Sequence, residues 1–425
     1  MRVSQSNPNS TIRRGVVFFF AISTASGCNS MSTGMQALML CAVARSRLHC
    51  SWPSGMPRRK HVEIAGGGFA GLATATAFCH RGWTARIHEA APELRSFGAG
   101  IFLWENGLRV LKALGAYDAV VAGAHEAPGY EGRDENNERM SLHHFGGDCR
   151  MLTMTRQHLY AAMLAAAQRA GVAFEISSEI VAADPTGALI GADGNRHEAD
   201  LVVGADGVNS KVRQSLGVKT ERTTFTHGVI RILVPRGDQD LTETNPDYVI
   251  NFWGPRLKVL YTPCDANDLY LAMMVHKEDD EARAIPVNKK VWKQEIPHLA
   301  HIFDRIDDQG RFDSYEMTKL DRMSVGRAVL IGDSGHPMPP TLGQGAGCAI
   351  MNALGLAVAI DEAGDDLLDG LRVWEQRERP LTEHTQDISS LYVRNRAGSD
   401  GGNKWDAIAM RTARHIPTGT ADIIF

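Results

Sequence analysis

The stretch "HVEIAGGGFAGLATATAFCHRGWTARIHEA", residues 61–90, constrains the fold of this chain more than any other. Val62, Ile64 and Ala65 form a short apolar run. Leu72, Ala75, Phe78 and Cys79 then recur at helical spacing, and Ala85 and Ile87 lead a second apolar run to Glu89. Between the first run and the helix lies Gly66-x-Gly68-x-x-Gly71. A turn without side chains lets a pyrophosphate approach the helix N-terminus, and a carboxylate at the next strand tip can reach a ribose hydroxyl. A glycine pattern alone also suits a tightly packed strand–helix turn. With strand, helix and distal acid all in place, it indicates a dinucleotide site.

The 425 residues allow two or three domains or one large α/β unit. An apolar content of 44% is ample for a core, and a net charge of −4 gives no reason to expect nucleic acid or an anionic membrane as partner. The cysteines at 28, 41, 50, 79, 149, 264 and 348 show no paired spacing, so they read as free thiols in a reducing compartment. No run looks long and apolar enough for a transmembrane helix. The first sixty residues carry Arg2, Arg13, Arg14, Arg45, Arg47, Arg58, Arg59 and Lys60 but no acid. Residues 1–55 read either as a signal or transit leader or as sequence upstream of a start at Met56, and they are set aside from the fold.

Further along, "NGLRVLKALGA" predicts a helix capped by Asn106 and stopped at Gly115, and "RQHLYAAMLAAAQRAG" another closed by Gly171. "ADLVVGADG" and "RAVLIGD" have the continuous apolar character of buried parallel strands. Between about 223 and 275 the period changes to two, predicting antiparallel strands in "GVIRILVPR", "YVINFWG", "LKVLYTP" and "LYLAMMV". A long polar helix is expected over 366–396, bent by Pro380. The expected architecture is α/β: a Rossmann-type domain with a parallel sheet, formed by 56–125, 150–222 and 318–365. It is interrupted by a mainly antiparallel substrate domain at 126–149 and 223–317, and a C-terminal helical segment follows at 366–425.

Two more strand-tip acids complete the pattern. Asp206 in "GADGVNSKVR" and Asp333 in "VLIGDSGHPMPPTLGQGAG" each follow a buried strand and a glycine, at the sheet edge where α/β proteins bind ligands. Each alone suits an ordinary turn. The three motifs together, in this order, resemble the class A flavoprotein aromatic monooxygenases, which share the 4-hydroxybenzoate hydroxylase fold. The resemblance covers about residues 60–396. It implies FAD against Gly66, Gly68, Phe69, Ala70 and Gly71, with Glu89 on the adenosine ribose and Asp333 on the ribityl chain. It places Asp206 on the pyrophosphate side with a part in NAD(P)H contact, and Arg156 of "MTRQHL" on the flavin. Pro340 would shape the wall near the reacting flavin carbon, and Gly343, Gly345, Ala346 and Gly347 would offer amides to the pyrimidine edge.

Within the family, "ELRSFGAGIFLWENGLRVL", "NFW", "TKLD" and "GQGAGCAIMNA" resemble the branch that oxygenates a hydroxypyridine carboxylate. Tyr130, Arg231, Tyr270 and Tyr315 match pocket positions of that branch. Phe102 replaces a tyrosine, Lys258 replaces an arginine, and Asn352-Ala353 stands where the wider family has Asp-Ala. The resemblance implies hydroxylation of a small hydroxylated aromatic or pyridine-type carboxylate through a flavin C4a-hydroperoxide, with NADH or NADPH and O2 as co-substrates. Tyr270 or Tyr130 would manage the substrate proton and Lys258 would favour its anion. Ring-opening oxygenation, a flavin reductase or dehydrogenase, and a non-catalytic flavin protein remain alternatives. From residue type alone, a strand aromatic such as Tyr270 more often fills core and a strand lysine such as Lys258 more often faces water. His336 reads as structural. His143 and His144, adjacent on a strand, make a poor metal pair, and no metal is expected. A cytoplasmic monomer or homo-oligomer fits this picture.

Overall fold

A computed structural model describes residues 58–94, 99–146, 149–237, 240, 246–308, 310–394 and 407–425; the leader expected over residues 1–55 lies outside them. The continuous apolar runs become a parallel sheet. Its order is Ser324–Val325, Ala328–Leu330, Leu201–Gly204, His61–Ala65, Thr84–His88 and Ala173–Glu175, with only the first pair antiparallel. These runs are unbroken because both faces are covered. Ile64, Leu201 and Val203 pack under the helices Phe69–Cys79, Arg156–Arg169 and Gly345–Glu362, while Val202, Ala328 and Leu330 pack with Leu189 and Val212 on the other side. At the strand ends the chain passes very close to itself. Gly66 has φ +101°, and a Cβ there would overlap the Ala205 carbonyl.

The period-two region forms a seven-stranded sheet in the order Arg311–Leu320, Thr220–Pro235, Asp268–His276, Lys258–Pro263, Val249–Trp253, Gly129–Arg133, Arg139–His144. Gly129–Arg133 runs parallel to Val249–Trp253 and the remaining pairs are antiparallel. One face carries Ile230, Ile250, Phe252, Val259, Leu271 and Met273 into a core with Trp292, Ile302 and Phe303. The other face looks onto a cavity. The strand Arg311–Leu320 is an addition to the sheet expected over 223–275; its alternation is masked by the charged residues Arg311, Asp313, Glu316 and Lys319.

Several local expectations need correction. The helix Glu105–Ala113 begins earlier than predicted and has Trp104 at its N-cap. Asn106 lies inside it, accepting from its neighbour's amide, Gly107 N, and donating to Gln344 Oε1 at 3.0 Å. The C-terminal segment is one helix over Leu367–Arg394 with Pro380 inside it, but residues 407–425 form turns. There Met410 and Ala413 pack with Trp104, Tyr130 and Met151. One described helix, Gly345–Glu362, is long and apolar enough to cross a membrane, contrary to the expectation of none; 72% of it is buried inside the protein, as its role at the centre of the first core requires. The described cysteines 79, 149, 264 and 348 are free thiols.

A buried carboxylate ties the central strands of the parallel sheet together. Glu63 accepts from His61 Nε2 at 2.9 Å and from His88 Nε2 at 2.8 Å, and His88 Nδ1 meets Ser178 Oγ at 2.8 Å. Burial opposes the Glu63 charge, but the two histidines and Arg86 overcome it and hold the pKa at about 2, below the ordinary 4.5. A carboxyl depressed in the fold stabilises it fully above its unfolded pKa and loses that contribution as pH falls through the folded one. Glu63→Gln is therefore expected to lower stability by about 3 kcal/mol at neutral pH. In thermal melts, the gap to the wild type should close between pH 4.5 and 2; a gap of constant size would refute this account.

Candidate active site

The parallel strand ends and the open face of the seven-stranded sheet enclose a cavity of about 1030 Å³. It brings together Gly68, Phe69, Ala70, Phe102, Tyr130, Arg156, Arg231, Lys258, Tyr270, Tyr315, Asp333, Pro340, Gly343, Gly345 and Ala346. Gly66, Gly71, Glu89, Asp206 and Gly347 do not line it. Glu89 instead accepts from Gly67 N and Ala91 N, both at 2.9 Å, which holds its carboxylate beside the glycine turn. Asp206 accepts from Ser210 Oγ at 2.5 Å and Val212 N at 3.1 Å, so its carboxylate serves the start of the helix Lys211–Ser215. Its neighbours Ala205 and Gly207, not Asp206, reach the cavity wall.

Two helices point their N-termini at this space. Phe69–Cys79 starts at Gly68 and Gly345–Glu362 at Gln344, and neither has a side-chain cap. Their first amides can therefore donate to a negatively charged group, aided by the helix dipole. Gly343, at φ +63°, leaves bare backbone beside Phe102: a Cβ there would come within 2.7 Å of the ring. A wide flat group fits against such a wall. Phe102 in turn stands edge-on to Tyr270, with ring centroids 6.4 Å apart.

Strand pairing arranges the opposite wall in rows. Arg311, Arg231, Ala272, Leu260 and Asn251 are successive cross-strand partners; Asp313, Val229, Met274, Lys258 and Trp253 form the adjacent row. Polar groups thus stand at both ends of an apolar middle. Arg231 and Asn251, three strands apart, are separated by roughly 14 Å.

At the first end Arg231 pairs with Asp313, which Arg311 also contacts at 2.8 Å. Burial opposes the Arg231 charge, yet Tyr270, Asp313 and Tyr315 raise its pKa above the ordinary value. Burial likewise raises the Tyr270 and Tyr315 phenols, which keeps them protonated and able to donate. It also raises Asp333, against the pull of Arg156 and Arg231. The Arg156 guanidinium lies 5.0 Å from the Phe69 ring centre.

At the second end Lys258 is 7% exposed, and no carboxylate among the described residues pairs with it. Its ammonium sits 3.3 Å from the centre of the Trp253 ring. Burial pulls its pKa well below 10.5. Nearby, Asn251 Nδ2 donates to the Tyr130 hydroxyl at 2.7 Å. Sequence reasoning missed Asn251, Trp253, Arg311 and Asp313 as site residues. The signal for Asn251 was present, since it is the one polar residue in "VINFW".

His336 is structural, as expected. Its Nε2 accepts from Gly332 N at 3.2 Å and from Asn352 Nδ2 at 3.1 Å, and burial lowers its pKa to about 4. Asn352 also donates to Thr382 Oγ1 at 3.0 Å, which gives the departure from the Asp-Ala pattern a structural use. His144 Nδ1 meets the Tyr248 hydroxyl at 2.9 Å.

The unpaired lysine has a measurable cost. A lysine whose pKa is depressed by burial destabilises the fold fully below its folded pKa, and the penalty fades as pH rises toward 10.5. Lys258→Met should therefore stabilise the protein by about 1–3 kcal/mol. The gain in Tm should be largest at acidic pH and shrink toward pH 10; a pH-independent gain would contradict it.

Comparison with known proteins places this geometry. The model of the FAD binding domain family matches residues 59–376. The 2-heptyl-3-hydroxy-4(1H)-quinolone synthase of Mycobacteroides abscessus is 37% identical over 334 residues, covering 77% of this chain and 88% of that protein. The 6-hydroxynicotinate 3-monooxygenase of Bordetella bronchiseptica is 26% identical over 79% of this chain and 91% of its own. Among solved structures, a tetrameric form of 2-methyl-3-hydroxypyridine-5-carboxylic acid oxygenase superposes with a TM-score of 0.81 at 43% identity, covering 85% of this chain and 98% of that one. The chain belongs to the FAD-binding family of class A flavoprotein monooxygenases.

Proposed function

We propose that this FAD-dependent monooxygenase hydroxylates a nitrogen heteroaromatic ring bearing an oxo or hydroxyl group, with NAD(P)H and O2 as co-substrates. The observation that carries this reading is the buried, unpaired Lys258 beside Tyr130 and Asn251, on an otherwise apolar wall. Quinolone, hydroxynicotinate and hydroxypyridine, the rings in the relatives' names, share the ring nitrogen and the oxygen substituent. A carboxylate is not common to the three, so the sequence expectation of an acid substrate narrows to an oxygenated N-heterocycle.

Bound FAD supplies two-electron transfer from NAD(P)H and activation of O2. The residues present fit it: bare turns at Gly66 and Gly343, two uncapped helix N-termini, and Glu89 and Asp333 at strand tips. Glu89 would hold a ribose hydroxyl and Asp333 the ribityl hydroxyls, and the first amides of Gly345–Glu362 would stabilise negative charge on the flavin's pyrimidine edge. Arg156 and Phe69 flank the same region. On the substrate side, Lys258 lies on the cavity wall where its ammonium would hold the ring's oxygen and favour negative charge there. An electron-rich anionic ring is the form that attacks an electrophilic oxygen. Tyr270 and Tyr315, kept protonated, donate to whatever oxygen lies at the Arg231 end. The apolar middle of the wall excludes water from the reacting carbon.

Two measurements test this reading. Turnover of 4(1H)-quinolones and hydroxypyridines under labelled O2 should put one labelled atom into a product that keeps its ring absorbance. A product without that absorbance would indicate ring opening, and a product without label would sink the oxygenase claim. Asp333→Ala should weaken FAD retention by about 10- to 100-fold, the scale of a hydrogen bond to a charged group. Flavin released on dialysis measures it, and wild-type retention would remove Asp333 from the cofactor site.

A further inference from the structure

Asn251 stands at the middle of the strand Val249–Trp253, 2% exposed, on the face that lines the cavity. Its amide nitrogen donates to the Tyr130 hydroxyl at 2.7 Å. Its carbonyl oxygen Oδ1 has no hydrogen-bond partner within the protein. Buried carbonyl oxygens almost always have one, and leaving one unpaired is costly. The neighbours on this part of the wall cannot supply it: Val249 lies on the same strand and Leu260 directly opposite. An acceptor held in this way is complementary to a donor on the bound ring.

Building on the reading that this cavity holds the aromatic substrate, we propose that Asn251 Oδ1 accepts a hydrogen bond from the ring N–H of a nitrogen heterocycle. It thereby selects the N–H, oxo tautomer over counterparts that carry no N–H. A ring hydroxyl is the weaker candidate for this donor. Lys258, diagonal to Asn251 on the neighbouring strand, is the group suited to the substrate's oxygen, and in the N–H, oxo tautomer that oxygen carries no proton to offer Asn251. A ring N–H remains a donor throughout. The pair Asn251 and Lys258 then reads two features of one ring: a donor at nitrogen and an oxo oxygen that carries negative charge by resonance with it. Tyr130 acts as a positioning residue, holding the amide in the orientation that aims Oδ1 at the substrate.

The test compares 2-heptyl-4(1H)-quinolone with 2-heptylchromone, in which ring oxygen replaces N–H at nearly constant shape. Binding to the FAD-loaded enzyme is read from the change in flavin absorbance. The quinolone is expected to bind about 10- to 100-fold more tightly than the chromone. Asn251→Leu should close that gap, and Asn251→Asp, which keeps an acceptor, should preserve it. Equal binding of the two compounds by the wild type, or a gap that survives in Asn251→Leu, overturns the proposal. The wild-type comparison decides the matter even where a variant fails to retain flavin. Oxygen consumption separates this inference from the reading it rests on. Discrimination without turnover overturns hydroxylation and leaves the Asn251 assignment standing; turnover without discrimination does the reverse. Saturating concentrations with no binding of either compound overturn both.

Discussion

The structure depends on how closely bare backbone can pass at the carboxyl ends of the parallel strands. Gly66 packs against the carbonyl of Ala205, and Gly71 against that of Gly66 itself. A side chain at either position would push apart the two central strands and lift the first helix from the sheet. That close passage lets Phe69–Cys79 start directly over the cavity with its amides uncapped. Gly343 repeats the device on the opposite lip, where it leads into Gly345–Glu362. Two helix N-termini facing one cavity form an anion-binding arrangement made of backbone alone, so its chemistry tolerates many side-chain changes on the other wall.

That other wall is where specificity can vary. Because the seven-stranded sheet has one face in the core of Trp292 and Phe303, its alternation is strictly enforced there. A one-residue slip would bury Arg231, Asn251 and Lys258 in that core. The register that protects the core therefore also fixes which residues face the substrate, row by row. A substitution at an inward position, such as lysine for arginine at 258, alters the chemistry without disturbing the pairing.

The glycine fingerprint, the strand-tip acids and the period change at about residue 223 made both sheets legible in the sequence, because each signal is local. What stayed hidden was long-range. Asp206 has the right residue type at the right strand end, yet Ser210 and the Val212 amide claim its carboxylate. Strand Arg311–Leu320 carries too many charges to show its alternation, although those charges, Arg311 and Asp313, belong to the cavity end. Asn106 has the composition of a cap but is drawn into the helix by its bond to Gln344, 238 positions away.

Lys258 and Asn251 violate the rules that the rest of the sheet obeys, and together they show why. A lone buried ammonium and an orphan carbonyl each oppose folding. In a strand as well packed as Val249–Trp253, valine or leucine would satisfy the sheet better than asparagine. Two such departures on adjacent strands of one wall, one a donor and one an acceptor, are hard to explain by packing. They are explained if a single flat ring answers both at once, since the same bound molecule then restores the missing hydrogen bond and supplies the missing counter-charge. The local instability is thus a measure of what the site is complementary to, and the first core and the far face of the sheet are large enough to carry it.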